Sequence, residues 1–245
     1  MVCPNCHTVL EDDSKFCRYC GTSQVIDKES GQDRNDVLAI VALFYCLDLI
    51  LCLLIKFIDE LQTLRYYLLF DGITTIITFV FVAFTFKDIR HSLRWNNFSV
   101  KKILMYAGIA VIASLIVQFL VGLLNRNLFE EEYYYYFTFS NTAHPVIFMI
   151  LMIAVQPALI EELGYRGLIM SQLNRILDSK QVIFISAFLF ALIHLSIFSM
   201  LWIIPFAILL GYVKEKEQTI WYGVIIHFMF NATACLFEVY DLKIF

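Results

Sequence analysis

Residues 146–166 read VIFMILMIAVQPALIEELGYR. The stretch opens with an apolar run over 146–155, meets Gln156-Pro157, and then places Glu161, Glu162 and Arg166 among further apolar residues. An ionised side chain at the centre of a membrane helix costs about 2.5–3.5 kcal/mol on insertion scales, so a membrane segment that carries one is a functional candidate by default. Two later apolar stretches repeat the pattern. One holds Phe190 and His194 four residues apart, and the other holds His227 and Asn231 at the same spacing.

Outward from these stretches, the composition sets the class. The chain has 245 residues, of which 60% are hydrophobic and 16% charged, with a mean hydropathy of +0.73. Soluble domains are usually about half apolar and about a quarter charged. The excess arrives in blocks near 37–57, 66–86, 103–124, 144–155, 182–200, 201–213 and 220–239. A bilayer-spanning helix needs about 20 such residues, so the pattern predicts an all-α polytopic membrane protein with about seven transmembrane helices. The 201–213 piece is short for a span, and Pro157 is expected to start a new helix that carries Glu161, Glu162 and Arg166.

The N-terminus has a different chemistry. Cys3, Cys6, Cys17 and Cys20 form two C-x-x-C pairs within residues 1–24. Four thiolates at two tight turns suit a closed, tetrahedral structural zinc site, and so short a segment needs a metal to fold. Two disulfides are the alternative, and they would require an oxidising compartment. Residues 25–36 are polar and pattern-free, which reads as a linker, and residues 37–245 form the multi-pass membrane domain. Cys46, Cys52 and Cys235 stand singly in apolar segments and read as small buried hydrophobes.

Loop charge predicts the orientation. Lys87, Arg90, Arg94, Lys101 and Lys102 fall in one loop, Arg175 and Lys180 in another, and Lys214 and Lys216 in a third. The loop with Arg126 carries Glu130, Glu131 and Glu132. A cytosolic N-terminus in the cell membrane places every basic loop inside and the triple glutamate outside, with Tyr133 to Tyr136 as an outer aromatic belt. Thiol-bound zinc agrees with that compartment. The net charge of −4 and the loop rule together account for the basic residues, so the expected partners include the bilayer but no nucleic acid.

Spacing assigns the polar groups. Side chains four apart share a helix face, so Glu162 and Arg166 are expected to pair, and Glu161 to face His194 and His227 across the bundle. Phe190 would lie beside His194, and His227 beside Asn231. A carboxylate, two imidazoles and an amide can activate water and hold an oxyanion. The same atoms could instead hold a catalytic divalent metal such as zinc at Glu161, His194 and His227, and spacing does not separate these two modes.

Glu-Glu-x-x-x-Arg, Phe-x-x-x-His and His-x-x-x-Asn in this order, over about Pro157 to Asn231, resemble the motif set of the CAAX-protease and bacteriocin-processing family of intramembrane endopeptidases. Gln156-Pro157 and Arg166-Gly167 are similar to the family pattern as well. The resemblance implies a helical core at about 143–239 with a conical cavity, and hydrolysis of peptide bonds in a membrane-associated protein or peptide. It implies that Glu161, with His194, activates water, that His227 and Asn231 position it or hold the oxyanion, and that Glu162, Arg166 and Phe190 support them. The family name does not fix the substrate, because the zinc-ribbon fusion looks prokaryotic and prenylated substrates are not expected in most bacteria. The ribbon lies outside the motif region, and a cytosolic protein partner is one role for it. The alternative function is a non-catalytic membrane scaffold or bacteriocin-immunity protein of the same fold. Asp48, midway along the first run, reads as a hydrogen-bonded contact between helices.

Overall fold

A lipid-embedded backbone must satisfy its own hydrogen bonds, which leaves helices as the natural outcome for these apolar runs. The structure, a computed structural model, describes residues 3, 6, 8–10, 14, 16–21, 31–95, 98–124 and 134–241. Among the described residues the membrane domain is built of helices and turns. The long helices are α1 (Gly31–Phe57), α2 (Leu64–Phe84), α3 (Val100–Leu124), α4 (Pro145–Leu173), α5 (Ser179–Leu192), α6 (Ile197–Glu217) and α7 (Trp221–Asp241). Six of the seven are long and apolar enough to cross a bilayer. The exception, α5, has 14 residues, which gives about 21 Å of rise against about 30 Å of hydrocarbon. Arg126, Glu130, Glu131, Glu132 and Tyr133 lie outside the described residues.

Three expectations need correction. First, α1 begins at Gly31, inside the segment read as a linker. Second, Pro157 does not start a helix. It lies within the 29-residue α4, just past a π-helical segment at Leu151–Val155. A second π-helical segment covers Glu162–Ile169. Proline has no N–H to give the carbonyl four residues back, yet α4 runs on past it, with π-helical segments before and after. Third, the runs 182–200 and 201–213 are divided elsewhere. The chain breaks after Leu192, passes through Leu195 at φ 50°, and restarts at Ile197, where the Ser196 hydroxyl accepts from the Ser199 N–H at 3.3 Å. His194 therefore sits at a helix break and not within a span.

Helix α4 is central. One side meets Phe44 of α1 and Val82 of α2, and the other meets Phe190 of α5 and Ala207 of α6, all in one buried cluster. A Cβ at Gly164 would lie 2.8 Å from the Phe44 ring, so a side chain there would push α1 away. Helix α7 lies along α3 through Tyr106, Ala110, Tyr222 and Ile226.

One end of the bundle is cross-linked by polar contacts. The Trp221 indole donates to the Leu93 carbonyl at 2.8 Å, the Ser99 N–H to the Tyr222 hydroxyl at 3.0 Å, and the Gln172 amide to Asp88 at 2.9 Å. Lys102 pairs with Glu217. The segments bearing the basic loop residues thus gather at one end.

Candidate active site

Helix α4 supplies both carboxylates, and adjacency on a helix sends them different ways. Glu162 is sealed. Its Oε1 accepts from Arg166 Nη1 at 2.9 Å, with both side chains 0% exposed. The expected pair therefore forms, and Arg166 also donates from Nη2 to the Ala207 carbonyl at 3.2 Å. Among the described residues, Glu162 Oε2 and Arg166 Nε are buried without a hydrogen-bond partner, so the pair's remaining capacity is met only in part. The Phe190 ring lies 4.5 Å from the guanidinium carbon and supplies a cation–π face.

His227 joins the two carboxylates. Its Nδ1 lies 3.2 Å from Glu162 Oε1. A carboxylate only accepts, so Nδ1 carries the proton and Nε2 keeps its lone pair when the ring is neutral. Nε2 lies 3.8 Å from Glu161 Oε2, and the Glu161 side chain is 27% exposed. That separation is too long for a direct hydrogen bond and suits a bridging water.

His194 stands apart from Glu161. Its Nδ1 donates to the Phe190 carbonyl at 2.9 Å, and among the described residues no hydrogen bond or ion pair joins it to Glu161. Phe190 is the link, with its ring centre 5.0 Å from that of His194, 5.9 Å from His227 and 5.2 Å from Tyr165. The expected Phe190–His194 neighbourhood is present, and Phe190 touches more of the site than the four-residue spacing suggested.

Asn231 does a job tied to Pro157. In an α-helix the Ile153 carbonyl would accept from the N–H of residue 157, which proline lacks. Asn231 Nδ2 donates to that carbonyl at 2.8 Å, so the third motif satisfies a group that the sequence ahead of the first motif leaves open. One amide N–H of Asn231 remains for other use.

Several contributors went unread in the sequence. A Cβ at Gly223 would fall 2.7 Å from Glu162 Oε2, so only glycine lets α7 come this close. Its signal was the Gly223–His227 spacing of four residues on one face. Phe206 packs 5.6 Å from the His227 ring, a contact across helices that no local pattern encodes. Tyr165 donates to Asp48 at 2.8 Å, which makes Asp48 the interhelical contact expected of it. Asp48 and Asp71 both lie within electrostatic reach of Glu161.

Among the described residues, the only group of three or more His, Cys, Asp or Glu placed to hold a metal is Cys3, Cys6, Cys17 and Cys20. Glu161, His194 and His227 are not so grouped among the described residues. The thiols are: all four sulfurs lie within 4.8 Å of one another. Cys3 and Cys20 stand 3.6 Å apart, and Cys6 and Cys17 3.5 Å apart. Zn–S bonds of about 2.3 Å give tetrahedral edges of about 3.8 Å, so the four cysteines fit zinc, and the pairs are too far apart for S–S bonds of about 2.05 Å.

Residues 142–233 match the family model described as type II CAAX prenyl endopeptidase Rce1-like. Residues 2–24 match the zinc-ribbon domain model. No curated protein and no solved structure matches the chain.

Proposed function

We propose that this chain, with its Rce1-like domain over 142–233, is a membrane-embedded endopeptidase that hydrolyses a membrane-associated protein or peptide with a glutamate-activated water. The observation that carries the reading is the division of labour between neighbouring carboxylates. Glu162 is sealed and fixes His227 by Nδ1, while Glu161 is open and faces the other ring nitrogen at 3.8 Å. Water between them can give a proton to Glu161 and hydrogen-bond to His227 Nε2, and then attack the scissile carbonyl. The remaining N–H of Asn231 would hold the oxyanion. Glu161 would pass its proton to the leaving amine as the C–N bond breaks, which returns the carboxylate. His194 offers Nε2 at the α5–α6 break as an acceptor for water or for a substrate N–H.

The basic loop segments at one end of the bundle support a cytosolic N-terminus in the cell membrane, with the ribbon poised there for a protein partner. Zinc at the four cysteines would hold the ribbon together, apart from the membrane site. A scaffold has no chemical need of an open carboxylate beside an oriented imidazole. The deciding assay incubates purified protein in detergent with a randomised peptide library and sequences the products. Cleavage by wild type and none by Glu161→Gln is the expected result. Equal product from both proteins overturns the proposal.

A further inference from the structure

A carboxylate inside a spanning helix calls for a partner of opposite charge, and Asp71 of α2 has none among the described residues. It borders a cavity of about 210 Å³ together with Tyr67, Tyr135, Phe139, Met152 and Ile153. At about 30 Å³ per water, this space accommodates one long side chain. Its wall is tied to the motif residues, because Ile153 is the residue whose carbonyl Asn231 holds. One turn beyond Asp71, Thr75 accepts from the Gln156 amide at 3.3 Å, which fixes α2 to α4 at this level.

Resting on the peptidase reading, we propose that this cavity is a specificity subsite for a basic side chain of the substrate, Lys or Arg, with Asp71 as its counter-charge. The chemistry is that of a cation binder. A single carboxylate supplies the charge, and aromatic rings supply faces that attract an ammonium or guanidinium group. Methionine and isoleucine cover the aliphatic stem of such a side chain, which buries readily while its head stays polar.

The helix sets the register. Ile153 precedes Glu161 by eight positions, about 12 Å along the axis. An extended peptide covers about 3.3 Å per residue, so the basic residue sits about four residues from the bond that is cut.

Two measurements test this together. The first compares cleavage products of a randomised peptide library for wild type, Asp71→Asn, Asp71→Glu and Asp71→Lys. Wild type should favour Lys or Arg about four residues from the cut by about ten-fold, the scale of one charge-assisted hydrogen bond. Asp71→Asn should lose that preference through KM, Asp71→Glu should restore it, and Asp71→Lys should turn it toward acidic residues.

The second measures binding to the Glu161→Gln protein in detergent micelles. The probes are fluorescein-labelled apolar peptides with one Lys moved residue by residue, and norleucine replaces it in the controls. The Lys peptides should bind about ten-fold more tightly, and the Glu161→Gln/Asp71→Asn protein should not distinguish them. A binding preference without any cleavage overturns the peptidase reading and leaves the cation subsite standing. A Lys preference that survives Asp71→Asn, or equal affinity for Lys and norleucine peptides, overturns the subsite.

Discussion

The two sides of α4 differ in what they expose. On the side toward α6 and α7, Glu162, Arg166, the Ala207 carbonyl and His227 Nδ1 close on one another with no exposure at the ion pair. On the side toward α1 and α2, Glu161 is open, and Asp48 and Asp71 stand nearby as further acidic groups. Like residues next to each other in sequence thus have opposite environments. The sealed side is a frame, and what it frames is the imidazole that faces the open side.

That contrast breaks most visibly at the carboxylates themselves. Glu161→Gln should lower cleavage by about 10³-fold or more, as general-base loss does, and leave the thermal midpoint unchanged. Glu162→Gln should lower activity and thermal midpoint together. Equal behaviour of the two variants in both assays would erase the distinction. Next in size is Arg166→Met, which strands a buried carboxylate and should cost about 3–5 kcal/mol in chemical unfolding.

Asn231→Ala leaves the Ile153 carbonyl unsatisfied and should cost about 1–3 kcal/mol. In a Pro157→Ala background the helix regains its own donor, so the same change should cost less. A strictly additive double-mutant cycle would deny the link between the two residues. Gly223→Ala drives a methyl against Glu162 and should cost about 1–3 kcal/mol. It should also slow cleavage, because it moves the group that orients His227. The smallest effect is expected at Tyr165→Phe, about 1 kcal/mol for one hydrogen bond to Asp48, with cleavage largely retained.

Much of this was legible beforehand because the signals are local. The apolar runs, the four-residue spacing of Glu162 and Arg166, and the paired cysteines each follow from neighbours along the chain. Two of the misreadings share one cause, which is that a proline and a helix break were judged without their surroundings. Pro157 looked like a helix start, yet Asn231, 74 positions later, supplies the donor that lets α4 continue. His194 looked embedded in an apolar run, yet the chain turns at Leu195.

By itself the sequence determined that this is a helical membrane protein with a thiol-rich amino-terminal module. It also set which polar groups ride on which apolar segments, because hydrophobic length and helical period are properties of adjacent residues. Tertiary structure alone decided which carboxylate is sealed and which imidazole nitrogen is left to face the open one. It also decided that Gly223 must lack a side chain. Those outcomes depend on how closely α4, α5, α6 and α7 approach, and that distance is fixed by packing between residues far apart in the chain.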